Sequence, residues 1–214
     1  MAQKKKPKTV TVALTGSGGT GVMTAGQMLL DAAAQSGLYG MMTRSMGPQI
    51  RGGEAAAFVR LSTEEVACAG DGFDILVAFD WEGTTRFKAE INMEPGSVVL
   101  KDPSSGDVPE MFTGTDAQFM DLPLKEMSKA IEGGRPNMVC LGTVAAMTGV
   151  PKKEVLGIVK KALGRKGEEA LTASTAGIEA GYEAAKNFDG DFKLPTSKKA
   201  ESRWNISGNE AMGL

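Results

Sequence analysis

A short glycine-rich segment follows the first apolar run of the chain and constrains the fold more than any other feature. The sequence TGSGGTGVMTAGQMLL, residues 15–30, places Gly16, Gly18 and Gly21 at the GxGxxG spacing. The preceding run TVTVAL, residues 9–14, is rich in β-branched residues and predicts a strand, and apolar residues three or four apart after the glycines predict a helix. Glycines at such a junction permit a tight turn and let backbone N–H groups approach an anion at the helix amino terminus.

The acidic residue that normally completes a dinucleotide site is missing. Such a site needs Asp or Glu about 20 residues further on, at the end of the second strand. The predicted second strand, YGMMT at 39–43, is followed by RSMG, which contains no carboxylate. Arg44 in that segment is a candidate contact for the 2′-phosphate of NADP. The glycines also fit close strand-helix packing, which is the favoured interpretation, and nucleotide binding stays open as the alternative. The candidate ligand-binding residues of this region are Gly16, Gly18, Gly19, Gly21 and Arg44.

The residue inventory limits the chemistry that this chain performs alone. Its 214 residues include two cysteines and no histidine. Two thiolates are too few for an iron-sulfur cluster, and the absence of histidine removes the commonest zinc ligand and the usual Ser/His and Cys/His nucleophile pairs. We therefore predict no metal site and no catalytic residue. Cys140 lies in an apolar predicted helix and is expected to be a buried, inert thiol.

Charge and hydropathy give broad expectations about partners and location. The formal net charge of −2 gives no indication of nucleic-acid binding. The lysine-rich segment 1–8 is expected to be disordered. No run approaches the roughly 18 apolar residues of a membrane span, and the start of the chain does not resemble a signal peptide. The sequence therefore predicts a cytoplasmic protein without membrane contact.

Strand-like and helix-like segments alternate along the chain. This alternation predicts an α/β domain over residues 9–188, with a Rossmann-like, doubly wound, mostly parallel sheet and helices on both faces. Residues 189–214 contain few aliphatic side chains and are expected to form an extended tail. The loop SMGPQIRGG, residues 45–53, contains Pro48 and paired glycines around Arg51, a composition that favours a shaped loop. Further strands are predicted at 54–61, 74–79 and 97–100, and helices at 81–91, 122–132, 137–148, from Pro151 onward, and at 168–188.

Two acidic motifs have structural explanations that compete with functional ones. The tripeptide Gly70-Asp71-Gly72 opens the magnesium and pyrophosphate motif of thiamine diphosphate enzymes, but the next Asn is Asn92, closer than that motif requires. A turn before a strand is the favoured interpretation. Asp80 and Glu82 lie where α/β proteins bind ligands, at a strand's carboxyl end. Acidic residues in the first turn of a helix also interact favourably with the helix dipole. These two residues therefore receive modest weight as candidate acid-base residues.

Several segments taken in order resemble one enzyme family. The segments GSGGTGVMTAGQMLLDAAAQSG, RSMGPQIRGGEAAAFVRLS, GFDILVAFD and NMVCLGTVAAMTGV together resemble the gamma subunit, or gamma domain, of 2-oxoacid:ferredoxin oxidoreductases, over about residues 9–187. The glycine motif alone is weak evidence, whereas the ordered set is specific. The terminal sequence WNISGNEAMGL resembles the start of the alpha domain that follows the gamma domain in fused subunits of the 2-oxoglutarate type.

The resemblance implies a non-autonomous role in oxidative decarboxylation of a 2-oxoacid of the 2-oxoglutarate or pyruvate type. The product is an acyl-CoA, and the electrons pass singly through iron-sulfur clusters to ferredoxin. Thiamine diphosphate, Mg²⁺, iron-sulfur clusters and coenzyme A are expected in the assembled complex with alpha and beta subunits, and none bound by this chain alone.

The resemblance also suggests which residues approach a ligand. It implies that the 45–53 loop lies near the coenzyme A channel, with Arg51, Gly52, Gly53 and also Arg44 facing a phosphate or carboxylate. A salt bridge within the loop is an equally weighted interpretation of Arg51. Two alternatives to the leading function stay open at this stage. One is a stand-alone NADP-binding reductase or regulatory module, and the other is an architectural module that never approaches substrate.

Overall fold

The fold is built on one six-stranded sheet. The computed structural model describes residues 7–49, 52–164, 167–188, 190, 192–195 and 204–213. The strands are β1 Thr9–Ser17, β2 Tyr39–Met46, β3 Glu54–Ser62, β4 Phe73–Ala78, β5 Met93–Lys101 and β6 Gln118–Asp121. The helices are α1 Val22–Gln35, α2 Trp81–Thr85, α3 Glu110–Thr113, α4 Leu124–Lys129, α5 Pro136–Thr148, α6 Lys152–Leu163, α7 Glu168–Ala184 and α8 Gly208–Met212. Short 3-10 helices occupy Pro103–Ser105 and Ala185–Asn187.

The sheet has the order β2-β3-β1-β4-β5-β6 and mixed directions. Strands β1, β4, β5 and β6 run parallel to one another, while β3 is antiparallel to both β1 and β2. The predicted α/β fold with a mostly parallel sheet is confirmed. In a dinucleotide-binding sheet, however, β2 lies directly beside β1. Here β3 takes that place and β2 lies at the edge, which agrees with the missing acidic residue after β2.

Helices cover both faces of the sheet, but unequally. Alternate residues of β1 point to opposite faces, so Val12 and Leu14 join one buried cluster and Ala13 joins the other. The first cluster contains the apolar side chains of the long helices α1, α5, α6 and α7. The second contains Trp81 of α2 and Phe112 of α3, whose rings lie 5.6 Å apart. Helix α5 is buried on almost every side, which explains its apolar composition.

Several predicted boundaries differ from the structure, and one strand was not predicted. The predicted helix 81–91 ends at Thr85, because the chain continues in single turns that bury Phe87 and Ile91 against the sheet. Strand β5 begins at Met93, before the predicted start at Ser97, and its pairing with β4 is irregular there. Strand β6 has no sequence signal, since its four residues are too few to give a clear alternation.

Residues just outside both predicted limits of the domain, 9–188, contact the folded domain. Lys8 falls in the segment predicted to be disordered, yet its carbonyl oxygen accepts hydrogen bonds from the Thr63 amide at 2.9 Å and the Ser62 hydroxyl at 3.1 Å. Residues 1–6 of that segment lie outside the described residues. Leu194 falls in the predicted tail, yet its side chain is buried in the main cluster and its amide donates to the Thr148 carbonyl at 2.9 Å. Within the part of the chain that the structure describes, no helix is long and apolar enough to cross a membrane.

Candidate functional site

A large open cleft lies at the carboxyl ends of β1, β4 and β5. Its volume is about 1390 Å³. The lining comes from the glycine loop between β1 and α1 and from the amino-terminal residues of α5 and α7. This is the edge at which α/β sheets bind ligands. The polar and charged lining includes Ser17, Thr20, Asp80, Asp102, Lys125, Glu132, Arg135, Asn137, Glu168 and Glu169.

The glycine loop is shaped by close approaches of other backbone and side-chain atoms. A Cβ atom on Gly18 would lie 2.6 Å from the Gly53 carbonyl oxygen, and one on Gly21 would lie 2.4 Å from Nδ2 of Asn137. A Cβ atom on Gly16 would lie 2.9 Å from that of Phe79. Gly21 also has a φ of +86°, in the region that favours glycine, and immediately precedes α1. These glycines therefore allow the loop to pack closely against Gly53, Asn137 and Phe79. The space beside Gly19 is open, because a Cβ atom there would meet no atom within 4 Å.

Three long helices direct their amino termini toward the cleft. Helices α1, α5 and α7 all begin there without a side chain that caps their first N–H groups. The uncapped N–H groups and the helix dipoles favour a negatively charged group. Lys125 and Arg135 add positive charge, whereas Glu132, Glu168 and Glu169 add negative charge. Glu168 and Glu169 lie in the first turn of α7 itself, whereas the first turns of α1 and α5 carry no acid, so the cleft favours an anionic group at the amino ends of α1 and α5.

Asp80 holds the glycine loop in place. Its Oδ2 atom accepts a hydrogen bond from the Ser17 amide at 2.8 Å, and its Oδ1 atom accepts one from the Gly83 amide at 2.7 Å. Asp80 is the N-cap of α2, so the structural interpretation of this acid is the one that the geometry supports. Asp102, which sequence reasoning missed, acts similarly on the far side of the cleft. Its buried carboxylate accepts from the Ser104 and Lys125 amides.

The hairpin between β2 and β3 brings the second glycine segment against the first. The Gly18 amide donates to the Gly53 carbonyl oxygen at 2.5 Å. Gly52 has a φ of +73°, which favours glycine at that turn. Arg51 lies outside the described residues. The two glycine segments that the sequence singles out therefore meet at one point, beside the cleft wall.

Arg44 lies away from the cleft. It is exposed on edge strand β2, and its Nη2 atom donates to Oε1 of Gln27 on α1 at 2.6 Å. The predicted contact with a nucleotide phosphate would require Arg44 to lie beside the glycine loop that precedes α1. In the structure β3 separates β2 from β1, and the Arg44 guanidinium contacts Gln27 instead.

Among the cleft residues that sequence reasoning did not name as candidates, Asn137 came nearest to being found. It is the first residue of the NMVCLGTVAAMTGV segment, and it is buried against Gly21 at the amino end of α5. Its Nδ2 atom lies 3.4 Å from the Gly21 carbonyl oxygen, longer than an ordinary hydrogen bond. Lys125 and Arg135 had no sequence signal, because only the fold brings α4 and α5 to this edge.

The remaining chemical candidates have structural explanations. The Gly70-Asp71-Gly72 segment forms the turn before β4, as expected, and the Asn92 side chain lies near the Asp71 carbonyl oxygen at 3.4 Å. Cys140 is fully buried, and burial raises the pKa of its thiol far above the usual range. Over the described ranges, no group of three or more His, Cys, Asp or Glu residues is arranged to hold a metal ion.

Removing Arg86 is expected to raise the pKa of Glu54, the residue that begins β3 after the hairpin loop. Arg86 Nε donates to Glu54 Oε1 at 2.9 Å, and this hydrogen bond is the main cause that lowers the pKa of the Glu54 carboxyl. A lowered folded-state pKa contributes stability above the unfolded pKa, and this contribution is lost as the pH falls through the folded pKa. Arg86→Ala should therefore reduce the loss of stability that Glu54 protonation causes at acidic pH.

An NMR titration of the Glu54 carboxyl carbon in both proteins checks this expectation. Glu183 is the internal control, because Lys186 lowers its pKa and Arg86→Ala leaves that pair intact. An identical Glu54 titration in the variant would show that the Arg86 contact does not persist in solution.

Comparison with known proteins agrees with this fold. The family model for pyruvate ferredoxin/flavodoxin oxidoreductase matches residues 11–184, most of the chain. The chain belongs to this family. It is 28% identical over 181 residues to the 2-oxoglutarate synthase subunit KorC of Archaeoglobus fulgidus, a match that covers 84% of this chain and 92% of that relative.

Two solved structures extend the comparison. The 2-oxoglutarate:ferredoxin oxidoreductase of Magnetococcus marinus, solved with 2-oxoglutarate, coenzyme A and succinyl-CoA bound, matches 98% of this chain with a TM-score of 0.85 and 26% identity. This chain spans only 37% of that longer one. The keto/oxoacid ferredoxin oxidoreductase gamma subunit of Geobacter sulfurreducens matches 83% of this chain and 98% of its own length, with a TM-score of 0.65 and 25% identity.

These matches confirm the resemblance to gamma subunits that the sequence segments indicated. They do not favour the alternative of a stand-alone NADP-binding reductase. The position of Arg44 on Gln27 agrees with that outcome, because the one residue that suggested NADP already has a partner within the domain.

Proposed function

We propose that this chain is the gamma component of a thiamine diphosphate-dependent 2-oxoacid:ferredoxin oxidoreductase. The assembled enzyme converts a 2-oxoacid of the 2-oxoglutarate or pyruvate type and coenzyme A to acyl-CoA and CO₂, and it passes two electrons singly to ferredoxin. The observation that carries the proposal is the match to the Magnetococcus enzyme, which extends over nearly the whole chain. Alpha and beta components are the expected partners.

The residues of this chain suit an accessory role. Two cysteines and no histidine are too few for an iron-sulfur cluster, and the Gly-Asp-Gly segment is a turn at the opposite end of β4 from the cleft. Thiamine diphosphate with its Mg²⁺ and the iron-sulfur clusters therefore belong to the partner components, where they supply the decarboxylation and electron-transfer chemistry. This chain contributes a shaped surface and charged side chains where it contacts those components.

The segment 45–53, predicted as a loop but with Ser45 and Met46 belonging to β2, is the part of this chain that we assign to coenzyme A. Its glycines bring it against the glycine loop through the Gly18–Gly53 hydrogen bond, so that both loops lie at the edge where the parallel strands end. Arg51 in this loop is suited to a phosphate or carboxylate, which its guanidinium binds with two parallel hydrogen bonds. A salt bridge within the loop is the competing role.

Arg51→Ala in the assembled enzyme distinguishes these roles. Loss of a charge-assisted contact to coenzyme A should raise KM for coenzyme A by roughly tenfold with little change in KM for the 2-oxoacid. Arg60→Ala is the matched control, because Arg60 lies toward the other end of β3 and contacts Thr9 and Cys68. An unchanged KM for coenzyme A would assign Arg51 to its own loop and favour a purely architectural role.

The function itself is tested by purifying the tagged chain from its own cells. Mass spectrometry should identify alpha and beta components, and the isolated complex should reduce a dye only when both a 2-oxoacid and coenzyme A are present. A panel of 2-oxoacids then names the substrate. Recovery of the chain alone, without activity, would remove the main support for the proposal. NADPH binding at saturating concentration would then be the next measurement.

A further inference from the structure

The amino ends of two long helices meet at one contact inside the cleft. Gly21 immediately precedes α1, and Asn137 lies in the first turn of α5, with its Nδ2 atom 3.4 Å from the Gly21 carbonyl oxygen. Neither helix has a side chain that caps its first N–H groups, and neither has an acidic residue in its first turn. The positive ends of both helix dipoles therefore act on the same small volume.

The side chain of Asn137 is the observation that points to a ligand at this place. Asn137 lines the cleft and is only 6% exposed. A buried carboxamide normally satisfies its oxygen and its N–H groups with hydrogen bonds. Within the part of the chain that the structure describes, the long contact with Gly21 is the only one that this side chain makes. Its Oδ1 atom and one of its N–H groups are therefore left without a partner in the domain.

The unpartnered carboxamide oxygen is accessible from the cleft. Over the described residues, the side-chain atoms that are both enclosed and unpartnered are Trp81 Nε1 and Ser97 Oγ, and the Asn137 oxygen is not one of them. The Nδ2 atom is the one that faces a carbonyl oxygen, because the reverse orientation of the amide would set two oxygens against each other. The Asn137 oxygen is thus free to accept a hydrogen bond from an occupant of the cleft.

The surroundings of Asn137 suit a small anion. Gly19 has a φ of +94° and open space beside it, so a ligand can approach its backbone closely. Arg135, directly before α5, lines the same cleft and adds positive charge. The carboxylates of Asp80 and Asp102 also line the cleft, but each already accepts hydrogen bonds from two backbone amides. Such hydrogen bonds offset part of their negative charge.

We propose that the amino ends of α1 and α5 form a phosphate site in which Asn137 selects a phosphate that carries or adjoins a hydroxyl group. The uncapped N–H groups and the free Asn137 N–H donate to the charged oxygens, while Asn137 Oδ1 accepts from the hydroxyl. Hydrogenphosphate supplies its own P–OH, and a sugar phosphate supplies a neighbouring sugar hydroxyl. Sulfate supplies neither. The site goes beyond the proposed function, because it uses neither Arg51 nor a partner component.

The test titrates the purified full chain with inorganic phosphate and with sulfate at about pH 8, where both anions are mainly dianions and only phosphate carries a proton. Amide NMR signals of Gly19, Val22 and Asn137 should shift with phosphate. Sulfate should bind at least about fivefold more weakly, because it leaves the Asn137 oxygen unsatisfied. Asn137→Ala should weaken phosphate binding at least about tenfold and bring the two affinities together.

Asn92→Ala is the matched control for Asn137→Ala. Asn92 Nδ2 makes a contact of the same length, 3.4 Å, with the Asp71 carbonyl oxygen at the opposite end of β4 from the cleft. Phosphate affinity should be unchanged in this variant. The comparison of phosphate with sulfate needs no variant, so it decides the proposal even if Asn137→Ala lowers stability.

The outcomes separate the site from its source of phosphate and from the proposed function. Equal affinities for phosphate and sulfate in the unaltered chain would mean an adventitious ion only and would overturn the proposal. Competition with phosphate by coenzyme A but not by dephospho-coenzyme A would support the site and assign it to a ribose phosphate. Phosphate binding that neither compound displaces would support a site for free phosphate. These measurements use this chain alone, so their failure leaves the proposed function standing.

Discussion

Replacing Gly142 with alanine is expected to lower the free energy of unfolding by about 3 kcal/mol. Gly142 lies on α5 where this helix crosses α7, and a Cβ atom there would lie 2.2 Å from the Ile178 carbonyl oxygen. Gly181 on α7 faces the same contact, 2.2 Å from the Val139 carbonyl oxygen. Both obstacles are backbone atoms, which cannot rotate away, so the helices must separate to admit the methyl group.

Urea unfolding of Gly142→Ala measures this effect, with the midpoint reduced and the denaturant slope unchanged. Gly157→Ala is the matched control on α6, because the nearest atom to its new methyl group is 4.0 Å away, on the Gln35 side chain. That substitution should raise stability by about 0.5 to 1 kcal/mol, since alanine favours helix over glycine. Equal stability of the two variants would show that α5 and α7 do not pack as closely as described.

The local elements were largely predictable, because each has a strong periodic or glycine signal. The strand, glycine loop and helix at the start of the chain occur where the spacing predicts them, with β1 extending to Ser17 and α1 beginning at Val22. Helix α5 begins at Pro136, one residue before its predicted start, because proline at the first helical position stabilises the turn. Such signals act over short distances in the sequence and need no knowledge of the rest of the fold.

Strand order was less predictable, because it depends on pairing between distant segments. The β2 and β3 segments resemble ordinary strands, and nothing in either shows that they pair antiparallel and place β3 beside β1. The same limit applies to the site. The GxGxxG spacing is visible in the sequence, but the contacts of Gly18 with Gly53 and of Gly21 with Asn137 arise only when the sheet and α5 are assembled. The spacing alone therefore suggests nucleotide binding. The assembled structure explains the same glycines by close packing.

Asp80→Ala is expected to lower the free energy of unfolding by about 2 kcal/mol and to loosen the glycine loop. The carboxylate accepts hydrogen bonds from the Ser17 and Gly83 amides, one on each oxygen, and alanine offers neither amide an acceptor. The Gly83 bond caps α2, which is a local contribution. The Ser17 bond joins the end of β4 to the end of β1 and fixes the entrance of the loop. Hydrogen exchange of the Ser17 amide reports on that second bond separately.

Glu82→Ala is the matched control, because Glu82 is an exposed acid in the first turn of the same helix. Its removal should change stability by about 0.5 kcal/mol or less. Asp80→Asn adds a further distinction, since its amide keeps the shape of the side chain but turns one of the two acceptors into a donor that faces an N–H group. If Asp80→Ala lost stability while exchange at Ser17 stayed unchanged, the carboxylate would act only as a helix cap, and the glycine loop would owe its conformation to the packing of Gly16, Gly18 and Gly21.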